Sequence, residues 1–357
     1  MSTRSLLSCR IFCKLFVDMI KKVIKKIAHL IFASIGRHHI SYHSHDLLVL
    51  TYHRVLPADD RRAASEQPGM MVSPGTFKMH LQILKEKFEI VSLSEWLEKS
   101  KEPATLPRRA CAITFDDGWK DNYEFAYPIL RQEQVPATIF LVSDYLNRSK
   151  EFWPNKLNSL LRQIASELPE YWDDHVFNKV REVAPDLVRN KKMPDKDEID
   201  RIINHFKKYT DIDNHTYIDH IYHKFNIEQE VSDRALLNKS EVNEMLKSNV
   251  FEIGSHTCDH TRLLGGLSMN VLKHQVADSK KILQDTFGVE VSLFCYPNGD
   301  YSEDSMRLVA QNYTGACTTE SGWNTPDSNY FLLRRINIHE DMTQTKTRFL
   351  SRISGFI

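Results

Sequence analysis

The apolar runs of this chain do not alternate with polar residues. In DLLVLTYHRVLP (46–57), ATIFLVSD (137–144) and VSLFCYP (291–297), apolar or small residues follow one another almost without interruption. A strand with one wet face shows polar residues at every second position, so these runs predict strands covered on both faces. Helical spacing recurs between them: Phe77, Leu81 and Leu84; Tyr123, Phe125, Ala126, Ile129 and Leu130; the stretch 268–287, stopped by Gly288; and 302–312. Such alternation predicts parallel strands joined by helical crossovers. With FEIVSL (88–93), the run into Phe115, VFEIGSHT (250–257), YTGACTT (313–319) and YFLLRRINIH (330–339), the chain offers seven or eight strands. The expected fold class is α/β, a distorted (β/α) barrel.

Two segments break the pattern. Residues 149–249 are charged, helical in periodicity and poor in strand signals, and read as a helical insertion between barrel segments 46–148 and 250–357. Residues 1–45 are assigned to a basic amphipathic N-terminal helix. Within them, SLLSCRIFCKLFVDMIKKVIKKIAHLIFASIGRHH (5–39) mixes apolar clusters with lysines and holds one acidic residue, Asp18. A spanning helix needs about 20 predominantly apolar residues, and Arg10, Lys14, Asp18, Lys21, Lys22, Lys25 and Lys26 interrupt this one too often. No small-residue cleavage site follows cleanly, which disfavours a secretory signal. The pattern fits peripheral contact with a membrane surface through residues 5–35, or a helix packing its apolar face on the domain.

Lys and Arg number 47, as do Asp and Glu, so no charge excess points to a nucleic-acid partner. The six cysteines form no CxxC pair; free thiols in a reducing compartment are expected. The expected location is cytoplasmic, peripheral at the inner face of the membrane.

In barrels of parallel strands, chemistry sits at the C-terminal strand ends. CAITFDDGWKDNY (111–123) runs from a buried strand directly into Asp116 and Asp117. Adjacent carboxylates are costly unless a cation or a proton settles one of them. SHTCDH (255–260) ends another strand with His256 and His260, four apart, whose imidazoles converge on one ion if the chain turns helically there. Two histidines and one carboxylate leave coordination positions open, as a catalytic metal requires. Zn²⁺ suits this set, and other divalent transition metals are tolerated by the same ligands. The alternative for Asp116 is a turn or helix-cap residue.

TFDDG followed by SHTCDH resembles the first two motifs of the polysaccharide deacetylase family (carbohydrate esterase family four, the NodB-homology domain). LTYHRV, VSPGTFKMHLQILKEKFEIVSLSEW and FCYPNGDYS resemble its branch with a YPxG third motif. The likeness covers residues 46–145 and 250–340. It implies that Asp116 is the general base and that Asp117, His256 and His260 hold the metal, with acetate and a free amine as products. At the third motif the chain departs from the pattern. Much of the family has an arginine two residues before the proline and an aromatic after it; here Cys295 and Asn298 stand there. Tyr296, Pro297 and Asn298 are still expected beside the substrate, with the Asn298 N–H facing the oxyanion. Arg335, in LLRRINIH, is the candidate substitute for the arginine, and Arg334 its solvent-facing neighbour. For the general acid, His53, which members of the branch share, is preferred to His339.

Trp153 opens the insertion and serves either a sugar ring or a core. His215, His220 and His223 form no ligand set. The function expected is metal-dependent removal of an N-acetyl group from an acetamido sugar in a glycan or lipid-linked saccharide. The alternatives are an O-deacetylase, a non-sugar amidase, and a catalytically inactive glycan-binding protein of the same fold.

Overall fold

The computed structural model describes residues 19–21, 23–40, 45–64, 66–67, 69–146, 151–228 and 234–356. Ten strands are formed among them: β1 (Leu47–Tyr52), β2 (Arg54–Val55), β3 (Met71–Val72), β4 (Glu89–Ile90), β5 (Ala110–Phe115), β6 (Ala137–Leu141), β7 (Phe251–Ser255), β8 (Leu293–Cys295), β9 (Gly315–Cys317) and β10 (Ile336–Asn337). The main sheet runs β10-β1-β5-β6-β7-β8-β9, with β4 paired to the start of β5; β2 and β3 form a separate pair. Every pairing is parallel. Cys317 also bridges Leu333, in the segment leading into β10, and so the sheet curls into a half-barrel. This is the (β/α) barrel expected, in distorted form.

Every residue of β1, β5 and β6 is buried, as unbroken apolar runs require. One face of the sheet packs Leu48, Leu50, Ile113 and Ile139 beneath a helix layer that includes Phe77, Leu81 and Leu84. The other packs Leu47, Val49, Ala112, Phe140, Cys295 and Cys317 against one another and against Trp96. Small residues at several of these inward positions fit the tight curvature of the sheet.

The strands stop earlier than the apolar runs. The run 46–57 breaks at His53, because Arg54 leaves the main sheet for a buried ion pair with Asp121 (2.9 Å) and Glu66. In the run 330–339, only Ile336 and Asn337 form a strand, pairing with Leu50 and Thr51 of β1. The residues released at these ends form the loops that carry the site.

Helices Trp153–Glu167, Asn178–Val183, Pro185–Asn190, Lys196–Phe206 and Asp211–Lys224 build a second core around Leu157, Leu161, Trp172, Phe177, Ile203 and Ile218. Arg262, from the loop after β7, ties them to the barrel. Its guanidinium donates to the carbonyls of Lys207 (2.7 Å) and Tyr209, and lies 3.7 Å from both Asp211 and Asp300. The next helix, Lys239–Lys247, instead sends Val242 and Met245 into the barrel core. At the N-terminal end, residues 23–35 are helical. Among the described residues, no helix is long and apolar enough to cross a membrane. The N-terminal assignment in residues 5–18 lies outside the described residues.

Candidate active site

Asp116 directly follows β5, and its N–H donates to Tyr52 O (3.0 Å) at the end of β1. Its carboxylate receives both arms of one guanidinium: Arg335 Nη1 to Oδ1 and Nη2 to Oδ2, each 2.7 Å. Arg335 is itself buried and fixed by Nε donation to Thr318 O (2.8 Å) and by a bond to Thr114 Oγ1 (3.2 Å). A paired fork of this kind sets both charge and orientation. Burial alone pushes the Asp116 pKa up; the charge and hydrogen bonds of Arg335 outweigh it and bring the carboxyl below its ordinary value. Cys295 Sγ lies 3.0 Å from Arg335 Nη2 and 3.6 Å from Asp116 Oδ2. The small thiol leaves room for a guanidinium arriving from the residue just before β10. Burial holds that thiol protonated by raising its pKa well above the usual value. Arg334 is 56% exposed at its side chain and lies near Glu320.

Asp117 and Gly118 both have positive φ, 74° and 75°, and this double left-handed turn brings the Asp117 carboxylate back over the sheet end. A side chain at 118 would set its Cβ 2.9 Å from Leu141 Cδ2, so glycine is required on two counts. Asp117 Oδ2 accepts from Trp119 Nε1 (2.9 Å), while Oδ1 lies 3.5 Å from the Nε2 atoms of both His256 and His260.

The histidines converge without a helix. Thr257 and His260 have φ of 68° and 66°, and the segment is a left-handed turn, which corrects the helical turn expected there. The cause is competition for carbonyls: Thr257 O and Cys258 O accept from the N–H groups of Ser143 (3.1 Å) and Asp144 (2.9 Å), beyond β6.

His256 Nδ1 lies 2.7 Å from Cys295 O. A carbonyl only accepts, so Nδ1 carries the hydrogen and Nε2 presents its lone pair toward Asp117. Burial, then the neighbouring His256, lowers the His260 pKa to about 4, which favours the neutral form of this imidazole. Burial favours a neutral Asp117, but hydrogen-bond donation and positive charge on the histidine side, where a cation would sit, outweigh it and keep the carboxyl below its usual range. A buried carboxylate with two ring nitrogens within 3.5 Å is held by positive charge, which a proton or a divalent ion can supply. The donor set Asp117, His256 and His260 fits a divalent ion on the chemistry of its atoms and on the tautomer of His256.

Above this floor lies a cavity of about 530 Å³, a size suited to a sugar unit. Asp116, Asp117, His256 and His260 line its base. His53 and Asn298 line it from the barrel, Trp153, Asp200 and Lys207 from the insertion. His53 Nε2 is 4.0 Å from Asp116 Oδ2, and its buried Nδ1 has no partner. His339 does not line the cavity; its Nδ1 lies 3.7 Å from Asp341. Asn298 reaches the cavity with φ 56°, its carbonyl held by Thr319 Oγ1 (2.9 Å). Gly299, at φ 76°, makes this possible, since a Cβ there would lie 2.2 Å from Thr319 Oγ1. Tyr296 and Pro297 are buried and do not line the cavity. The Tyr296 ring packs between Phe294 (5.2 Å) and Tyr301 (5.4 Å), because Tyr296 directly follows β8 with its side chain turned into the core. Of the three, Asn298 alone is brought to the site surface.

Sequence patterns did not single out Trp119, Phe152 or Arg262. Phe152 sets its ring edge-on to His260 at 5.0 Å, and Trp119 is covered by the Arg54 guanidinium at 4.3 Å. The available signal was position: Trp119 follows the aspartate pair by two residues, and it is buried in a small cluster with Val142, Tyr145, Phe152 and Leu236. Trp153 proves to be a core residue of the insertion, buried beside Phe206, that also lines the cavity and donates Nε1–H to Asp211 (2.9 Å).

A curled parallel sheet with a carboxylate pair and two imidazoles at its C-terminal edge defines the class. The sequence profile of the polysaccharide deacetylase family matches residues 104–224 and 221–315, and the chain belongs to that family. Among its relatives is YxkH of Bacillus subtilis (strain 168), whose name places it among the polysaccharide deacetylases; it is 21% identical over 302 residues, 83% of this chain and 73% of that protein. A poly-beta-1,6-N-acetyl-D-glucosamine N-deacetylase of Staphylococcus epidermidis is 31% identical over 144 residues, 38% of this chain and 48% of the relative. That match spans about half of the relative's length. Among solved structures, the Streptococcus pyogenes deacetylase PplD in complex with acetate has a TM-score of 0.55 at 18% identity, covering 86% of this chain and 98% of that one. IcaB from Ammonifex degensii has a TM-score of 0.54 at 17% identity, covering 86% and 97%. These two share the fold.

Proposed function

We propose that this protein removes the N-acetyl group from an acetamido sugar in a glycan by metal-dependent hydrolysis. The observation that carries the reading is Asp116: a buried carboxylate, fixed by Arg335, beside the Asp117–His256–His260 set. A divalent ion on that set, Zn²⁺ by ligand type, would supply Lewis acidity to the acetamide oxygen and to water.

The remaining steps fall to the chain's own groups. Asp116 takes a proton from the attacking water, which requires the ionised form that Arg335 maintains. The water oxygen bonds to the carbonyl carbon, and the Asn298 N–H is offered to the oxygen that gains charge. The C–N bond then breaks, and His53, at the cavity wall, supplies a proton to the departing amine. The products are acetate and a free amino sugar. Trp153, buried in the insertion's core, adds part of its surface to the cavity wall.

The relative named as an N-deacetylase of poly-beta-1,6-N-acetyl-D-glucosamine supports N-acetylglucosamine polymers as the first substrate to test, and a lipid-linked saccharide as the second. The four described cysteines are unpaired and buried, which supports a reducing, cytoplasmic location. The complete ligand set argues against an inactive binding protein. Acetate release from β-1,6-linked N-acetylglucosamine oligomers tests the reading, with an O-acetylated glycan and a non-sugar acetamide as comparators. Faster turnover of either comparator would replace the N-deacetylase assignment.

A further inference from the structure

The N-terminal helix is mounted on the domain by its polar and small side. His29 Nδ1 hydrogen-bonds Ser351 Oγ (2.8 Å), and Ala33 is buried. Just beyond, Arg37 pairs with Asp46 (2.8 Å) and donates its N–H to Ser354 O (2.7 Å). The opposite side carries Ile20, Ile24, Ile27, Leu30, Ile31 and Ile35, each between 40% and 60% exposed. A surface helix ordinarily buries its apolar stripe against the domain; this one turns it outward. At about 100° per residue, the six side chains share an arc of about 140°.

Lys26 flanks one edge of that arc and Lys21 the other, with Lys25 beyond it. All three are exposed, and among the described residues no carboxylate pairs with them. A second copy of the helix seated on the stripe would bring no carboxylate to these lysines, since residues 19–40 contain none. An anionic surface with an apolar interior complements both features.

We infer that this face lies in the interface of an anionic lipid bilayer, isoleucines among the outer acyl segments and lysines at the headgroup phosphates. Among the described residues no helix is long and apolar enough to cross a membrane, so contact through this face is with the membrane surface. The inference is independent of the reaction proposed above.

The test is flotation of the full chain with vesicles of phosphatidylcholine alone or mixed with phosphatidylglycerol. Binding is expected to the anionic vesicles, weakening with salt and falling about fivefold for each of Lys21, Lys25 and Lys26 changed to Gln. The triple variant Ile24→Asp, Ile27→Asp, Ile31→Asp should bind at least about 100-fold more weakly, with unchanged circular dichroism and thermal unfolding to show that the domain is folded. Equal binding to both vesicle types, or no flotation at any composition, overturns the inference. So does a wild-type dimer that the triple variant makes monomeric while neither protein floats.

Discussion

Arg335 donates one 2.7 Å hydrogen bond to each carboxylate oxygen of Asp116, from 219 residues further along the chain. Its Nη2 also touches Cys295 Sγ at 3.0 Å. The position where much of the family carries an arginine is thus held by a small thiol, and a guanidinium from the β10 side fills the space.

Replacing Arg335 by Met leaves Asp116 buried without its counter-charge. Burial then dominates, so the Asp116 pKa rises and the acid limb of kcat/KM moves to higher pH. The kcat value should fall about 10²–10⁴-fold, and stability by about 3–5 kcal/mol, the usual cost of breaking a buried pair. Arg335→Lys keeps the charge but not the fork and should fall between. A pH–rate profile with an unmoved acid limb would refute the pairing's role.

His53 lines the cavity 4.0 Å from Asp116, and His339 lies outside it. His53→Ala should lose about 10²–10⁴-fold in kcat. His339→Ala should keep kcat within a few-fold of the wild type. The opposite result assigns the amine proton to His339.

Much of the fold was legible because burial on both faces of a strand leaves a mark in sequence: β1, β5 and β6 coincide with unbroken apolar runs. The strand ends were less so. His53, Thr257 and the residues around Leu333 leave the ladder because their neighbours bind partners distant in the chain, and local composition does not record this. Asp116, Asp117, His256 and His260 stood out by charge at the ends of apolar runs. Arg335 was reachable only through the resemblance, which left an arginine missing at Cys295 and made LLRRINIH the place to look for a substitute. The Trp119–Asp117 bond and the Phe152 contact with His260 depend on side-chain direction in irregular loops, where no periodicity operates.

Arg262 fastens the insertion that supplies Trp153, Asp200 and Lys207 to the cavity wall. Arg262→Met should loosen that wall while leaving the floor intact. KM should rise about tenfold, equivalent to ~1.4 kcal/mol, with kcat much less affected, and limited proteolysis should cut sooner within residues 153–228. A change in kcat alone would place Arg262 in the chemistry instead.

His80 is buried with its ring stacked on Phe349 at 4.0 Å; Nε2 donates to Thr343 O (2.9 Å) and Nδ1 accepts from Tyr52 Oη (3.1 Å). Both bonds need the neutral ring, and burial lowers its pKa from 6.5 to about 4. The unfolded chain takes up this proton below pH 6.5, whereas the folded chain does so only near pH 4. Stability is therefore full above pH 6.5 and falls as the pH drops toward 4, by up to roughly 3 kcal/mol for this residue. Urea unfolding at pH 7.5 and pH 5 measures it. His80→Gln should be less stable at pH 7.5 and show a shallower pH slope; an equal slope would contradict the assignment. His38, also lowered to about 4 by burial, accounts for part of the slope that persists.

The central claim is that Asp117, His256 and His260 hold one divalent ion beside an ionised Asp116 that acts on water. It is tested most directly by acetate release from β-1,6-linked N-acetylglucosamine oligomers, for the wild type and Asp116→Asn, before and after chelation. The account predicts release by the wild type that stops with chelator and returns with Zn²⁺, and a loss of about 10²–10⁴-fold in Asp116→Asn with metal binding retained. Undiminished release from the chelated wild type, or from Asp116→Asn, would contradict it.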